Sequence, residues 1–165
     1  MIQITEKQIA ASIESNYIDY INLYTDAYLI EVENNLNAEN IKKLDGYQHA
    51  LLAYRIFREE VTHGGFVQLI QNGYGGYIFD NPTAKALKIF GAEKTAKIIY
   101  KAKKIFDANR KELERETTDE EFNAMYVDFE VFGELEEKYF SIEKEETSTI
   151  ARFVNENRSL FAEVV

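Results

Sequence analysis

The sequence predicts an all-α protein, a single compact domain (1–165) of about seven to nine helices. Breakers are scarce, with one Pro and eight Gly in 165 residues, and that favours long helices over a sheet with many turns. Apolar residues recur at three- and four-residue spacing along most of the chain. Side chains that start helices stand just ahead of several of those runs. A hydrophobic fraction of 45% and an aromatic fraction of 13% provide for a real core, so a net charge of −10 does not imply disorder. Eleven Tyr and eleven Phe supply its bulk.

Taken in order, Thr5-Glu6-Lys7-Gln8 reads as a capping box opening a first helix, with Ile9 and Ile13 one turn apart. Residues 17–32 are densely apolar and suit a buried helix, although 27–32 alone would also fit a strand. Asn34 to Asn37 breaks the pattern. Asp45 is the expected N-cap of a helix to about Thr62, with Tyr47, Leu51, Tyr54 and Val61 on or near one face. Gly64-Gly65 interrupts it. A short helix over 66–72 then ends in the turn Gly73-Tyr74-Gly75-Gly76. Asn81-Pro82 pairs a capping side chain with proline at the first helical position, and this helix should stop at Gly91. A further helix runs from about Ala92 past Phe106. Thr118-Asp119-Glu120-Glu121 is a second capping box, and Phe122, Met125, Phe129, Phe132 and Leu135 to Tyr139 continue the helical spacing. Thr147 or Ser148 is expected to open a last helix through Ile150, Phe153, Val154 and Phe161.

Charge is distributed unevenly. Residues 1–106 hold 12 acidic and 12 basic side chains, whereas 107–165 hold 17 acidic and 7 basic. Within 112–146 the count is 14 acidic to 3 basic (Arg115, Lys138, Lys144). Such a field repels nucleic acid and anionic membranes and attracts basic partners. No Cys is present, which excludes disulfides, thiolate metal sites and a cysteine nucleophile. The first residues lack a basic stretch followed by an apolar one, and no apolar run approaches the roughly 18 to 20 residues of a membrane span. A cytoplasmic location is expected.

The remaining candidates for chemistry have plainer structural readings. The glycine-rich 73–76 segment lacks the Gly-Lys-Ser/Thr of a phosphate loop and does not follow a strand. His63 stands four residues after Glu59 and three after Glu60, a spacing that could converge on a metal or an acid–base pair. A histidine at a helix C-terminus bonding free carbonyls explains it more simply. His49 has no cluster around it. Gln68 and Asn72, one turn apart, could bond across to neighbouring helices. No metal, cofactor or catalytic residue is assigned.

The segment Glu60-Val61-Thr62-His63-Gly64-Gly65-Phe66-Val67-Gln68, followed by Asn72-Gly73, the Ala84/Leu87 helix, Phe90-Gly91-Ala92 and the 102–106 stretch, resembles a bacterial domain-of-unknown-function family. That family is typified by a DNA-mimic protein of Neisseria. The likeness runs from about residue 40 to 110 and resumes over 129–140; where this chain has His63 the family usually has Asn. Gly64, Gly65, Phe66, Gln68 and Gly91 read as residues serving the fold. The resemblance implies an acidic, all-helical homodimer that occupies the DNA-binding surface of a transcription factor. The side chains to do so would be Glu112, Glu114, Glu116, Asp119, Glu120, Glu121, Asp128, Glu130, Glu134, Glu136 and Glu137. Carboxylates once per helical turn recur about every 5.4 Å, a scale comparable with phosphates spaced about 3.4 Å along one DNA strand. The expected function is therefore non-catalytic capture of a basic protein. The alternative is a regulatory or immunity-type binding module with an apolar or mixed patch, and a hydrolase would require a concave pocket near His63.

Overall fold

Side chains just ahead of four of the eight helices, at Thr5, Asn16, Asp45 and Thr118, satisfy backbone N–H groups left free at the helix starts. The computed structural model describes residues 2–165. After a short strand β1 (Gln3–Ile4), Thr5 and Gln8 form the capping box of α1 (Glu6–Ser15). Asn16 caps α2 (Tyr17–Glu31), so the stretch that would also fit a strand is helical. Asp45 and Gln48 form the capping box of α3 (Gly46–Gln71). Then come α4 (Gly75–Phe79), α5 (Thr83–Ile89), α6 (Glu93–Glu114), α7 (Asp119–Asp128), α8 (Gly133–Glu156) and a closing strand β2 (Glu163–Val164). Among the described residues these are eight α-helices, joined in places by 3-10 turns.

Three local expectations differ from the structure. Asn81 does not cap α5: its side chain donates to the Tyr77 carbonyl at 3.0 Å, and the helix begins only after Pro82. Gly75 and Gly76 belong to α4 as well as to the turn. No helix starts at Thr147 or Ser148, because α8 runs through both. Thr147 is buried and its hydroxyl bonds the Tyr54 hydroxyl and the Glu143 carboxylate, so it is not free to cap. Two short strands add to the helices: they pair in parallel, Gln3 with Glu163 and Ile4 with Val164, and fasten these two distant segments together. Two-residue strands lie below any recognisable alternation.

The helix α3 is the axis of the molecule and touches α2, α4, α5, α6 and α8. Its buried residues meet an aromatic core in which ring centroids lie 4.7 Å apart for Phe57–Tyr139, 5.2 Å for Phe66–Phe132, 4.9 Å for Phe79–Phe106 and 4.7 Å for Phe90–Phe153. Such rings each contribute roughly 1.5–3 kcal/mol when fully buried. At Gly91, φ is +93°, and its N–H and that of Ala92 bond back to Lys88 and Leu87, ending α5 where expected.

Candidate partner-binding surface

The segment 60–72 decides where the acidic third of the chain sits. At Gly65 the backbone takes φ 76° and ψ −171°, a combination that is essentially confined to glycine. It divides α3 into two limbs and aims Phe66 into the aromatic core, where it is fully buried. The break leaves the Phe66 N–H without a helical acceptor, and the Glu136 carboxylate on α8 accepts it at 2.8 Å. A Cβ on Gly65 would stand 2.1 Å from that carboxylate. Gln68 and Asn72 both donate to the Glu60 carboxylate at 2.9 Å. They therefore clamp the two limbs of α3 to each other and do not reach to neighbouring helices.

The acidic segments dock on the short limb. Gln71 donates to the carbonyls of Leu113 at 2.5 Å and Arg115 at 3.0 Å, and accepts from the Thr117 hydroxyl at 2.8 Å. The Tyr126 hydroxyl donates to the Gly64 carbonyl at 2.9 Å. Together with the Glu136–Phe66 bond, these contacts hold the end of α6, α7 and the start of α8 around residues 64–71. The eleven carboxylates consequently form no single helical ladder. Glu112 and Glu114 lie on α6, Glu116 in the loop, Asp119, Glu120, Glu121 and Asp128 on α7, Glu130 in a 3-10 turn, and Glu134, Glu136 and Glu137 on α8. Extended backbone at Arg115 (ψ 149°) and the 3-10 turn Glu130–Phe132 divide them.

All of these carboxylates are exposed except Glu136. Glu114 pairs with Arg110 at 2.6 Å, Glu134 with Lys138 at 3.7 Å and Glu121 with Arg115 at 4.0 Å. Glu121 also accepts the Thr118 N–H as part of the capping box. The other seven make no ion pair among the described residues. Glu136 differs in kind. Partial burial pushes its carboxyl above the usual glutamate range, and the Phe66 N–H offsets part of that rise. Two more acidic residues of 112–146 are also turned inward: Glu143 pairs with Arg58 at 2.5 Å, and Glu146 is buried against Thr95. Charge counting could not separate these three from the exposed ones, because the inward-facing partners lie 51 to 85 residues away in sequence.

Both histidines are held by backbone. His63 is exposed, and its Nδ1–H donates to the Glu59 carbonyl at 2.6 Å, the local role expected of it. An open hollow does lie beside it, lined also by Thr62, Gly65, Tyr126, Glu136 and Phe140, but the Thr62 hydroxyl is committed to the Arg58 carbonyl. His49 lies between the Ile41 carbonyl at 2.6 Å and the Tyr77 hydroxyl at 2.8 Å, beside a cleft with Ala50, Ala53 and Pro82. No His, Asp or Glu residues of the described chain converge in threes as a metal would need. Among the described residues no helix is long and apolar enough to cross a membrane.

The kinked α3, the clamp at Glu60 and the docked acidic helices all fall within the stretch that a family model matches. The model for DMP19-like proteins covers residues 42–157. The chain belongs to the DMP19-like family. One relative is the DNA mimic protein DMP19 of Neisseria meningitidis serogroup B, 31% identical over 145 residues, which are 86% of this chain and 87% of the relative. Within the matched stretch, the Gly64-Gly65-Phe66 corner is the feature that seats the acidic third.

Proposed function

We propose that this member of the family is a non-catalytic, cytoplasmic interaction protein. It captures a basic protein, specifically a DNA-binding transcription factor, by occupying its DNA-binding surface. The observation that supports this reading most strongly is the set of seven exposed carboxylates without ion pairs between Glu112 and Glu137, in a stretch with little basic charge. Unneutralised charge of one sign accelerates association with an oppositely charged surface and makes binding strongly salt-dependent. The description of the Neisseria relative as a DNA mimic points the same way.

The test replaces Glu116, Glu120, Glu130 and Glu137 with Lys together. None of these four supports the fold through a side-chain bond, unlike Glu121 and Glu136. Pull-down from native cytosol at low and high salt should yield a DNA-binding protein that duplex DNA displaces. The fourfold variant should lose that capture while keeping its helical circular dichroism. Capture that survives the reversal, or that salt leaves unchanged, would contradict the proposal. A second reading, a binding module with a mixed patch, draws on the exposed Tyr126, Val127, Val131 and Phe140, which interleave with the same carboxylates. Capture insensitive to salt would favour it.

A further inference from the structure

The hollow at the α3 kink combines three features that ordinary acidic surface lacks. Its walls include two aromatic side chains held partly in solvent, Phe140 at 52% and Tyr126 at 39% exposure. Its floor holds Glu136, which is half-buried and makes no ion pair among the described residues. Only one oxygen of that carboxylate, Oε2, is engaged, by the Phe66 N–H, and Oε1 has no hydrogen-bond partner in the protein. Burying a carboxylate without a counter-ion is unfavourable, and its raised pKa reflects that cost. Gly65, which has no side chain, leaves the room beside this carboxylate that a Cβ, 2.1 Å from it, would fill.

We propose that this hollow, about 450 Å³ in volume, receives the guanidinium group of an arginine presented by the basic partner, with Glu136 Oε1 accepting its hydrogen bonds and Tyr126 and Phe140 contacting its planar faces. The assignment rests on the reading that the chain engages a basic protein, and it adds an anchoring contact to a diffuse field. Aromatic rings attract cations through their quadrupole, and a planar guanidinium stacks on them where an ammonium cannot. A hard metal ion would require several oxygen ligands, and this site offers one carboxylate. The Tyr126 hydroxyl is tied to the Gly64 carbonyl, so its ring is already held in place before binding.

The proposal can be examined without the partner, by titrating the protein with N-acetyl-arginine amide and following backbone amide resonances. The Gly65 and Phe66 signals should shift saturably, and the neutral isostere N-acetyl-citrulline amide should leave them in place. Glu136→Gln keeps an acceptor for the Phe66 N–H and should weaken binding about tenfold through loss of the charge-assisted bond. Phe140→Ala, an exposed change, should weaken it about threefold, and Phe140→Tyr should restore it. Equal shifts with citrulline, or unchanged affinity in Glu136→Gln with an otherwise wild-type spectrum, would refute the assignment. The fourfold surface reversal leaves the hollow's own residues intact and should still bind the probe. Loss of partner capture and loss of the arginine site are therefore separate results.

Discussion

Glu146, buried on α8, accepts both the backbone N–H of Thr95 at 2.7 Å and its hydroxyl at 3.1 Å. α6 begins at Glu93, and Ala92 at its N-cap has no side chain to cap it, so a carboxylate from 51 residues away supplies the missing acceptor. A negative charge there also suits the positive end of the helix dipole. Glu146→Ala should destabilise the fold by about 2 kcal/mol, as expected for a lost hydrogen bond to a charged group with a buried donor left unpaired. Urea denaturation would measure it, and Glu146→Gln should retain a substantial part of the stability.

Gly65→Ala should be costly for a different reason. The added methyl meets both a backbone conformation reserved for glycine and the Glu136 carboxylate, for a loss of about 1–3 kcal/mol from the backbone alone. Thermal unfolding should show the lower midpoint. The altered kink should also move the resonances of Tyr126, whose hydroxyl bonds Gly64.

The raised carboxyl of Glu136 makes a signed prediction about pH. A carboxylate whose pKa is higher in the folded chain binds protons more tightly there, so folding stability falls as pH rises from the ordinary value near 4.5 to the raised one. Glu136→Gln removes that slope. Its stability relative to wild type should therefore improve across this window, as read by unfolding at pH 4 to 7; a difference that worsens with pH would contradict the assignment.

The hydroxyls of Tyr54, Tyr139 and Thr147 and the Glu143 carboxylate form one network between α3 and α8. Thr147→Val should cost about 1–3 kcal/mol by leaving buried polar groups short of a partner. Burial pushes Tyr54 up to about 12 and raises Tyr139 as well. Alkaline titration followed at 295 nm should show these two ionising late, with stability falling as pH passes the ordinary tyrosine value near 10. Ionisation of every tyrosine together near that value in the folded state would argue against the burial of these two hydroxyls.

How much of this was legible beforehand depended on the range of the interaction. The boxes at Thr5 and Thr118 and the N-cap at Asp45 are readable because cap and partner lie three residues apart. Asn81 misled because an N-cap signature is local, whereas its side chain bonds the Tyr77 carbonyl of the preceding turn. Thr147 misled because its partner, Tyr54, lies 93 residues away. In the candidate surface the same limit applied to Glu136, which composition placed among its exposed neighbours.

The sequence alone determined the helical class, the glycine interruption at residues 64–65 and the acidic surplus after residue 106, since these depend on periodicity, backbone sterics and charge, all written along the chain. Only the tertiary structure decided which carboxylates face solvent and which bind the protein's own backbone. The two are chemically identical in sequence, and the difference arises from the cost of leaving a buried N–H unpaired at Phe66 and Thr95, which a distant glutamate relieves.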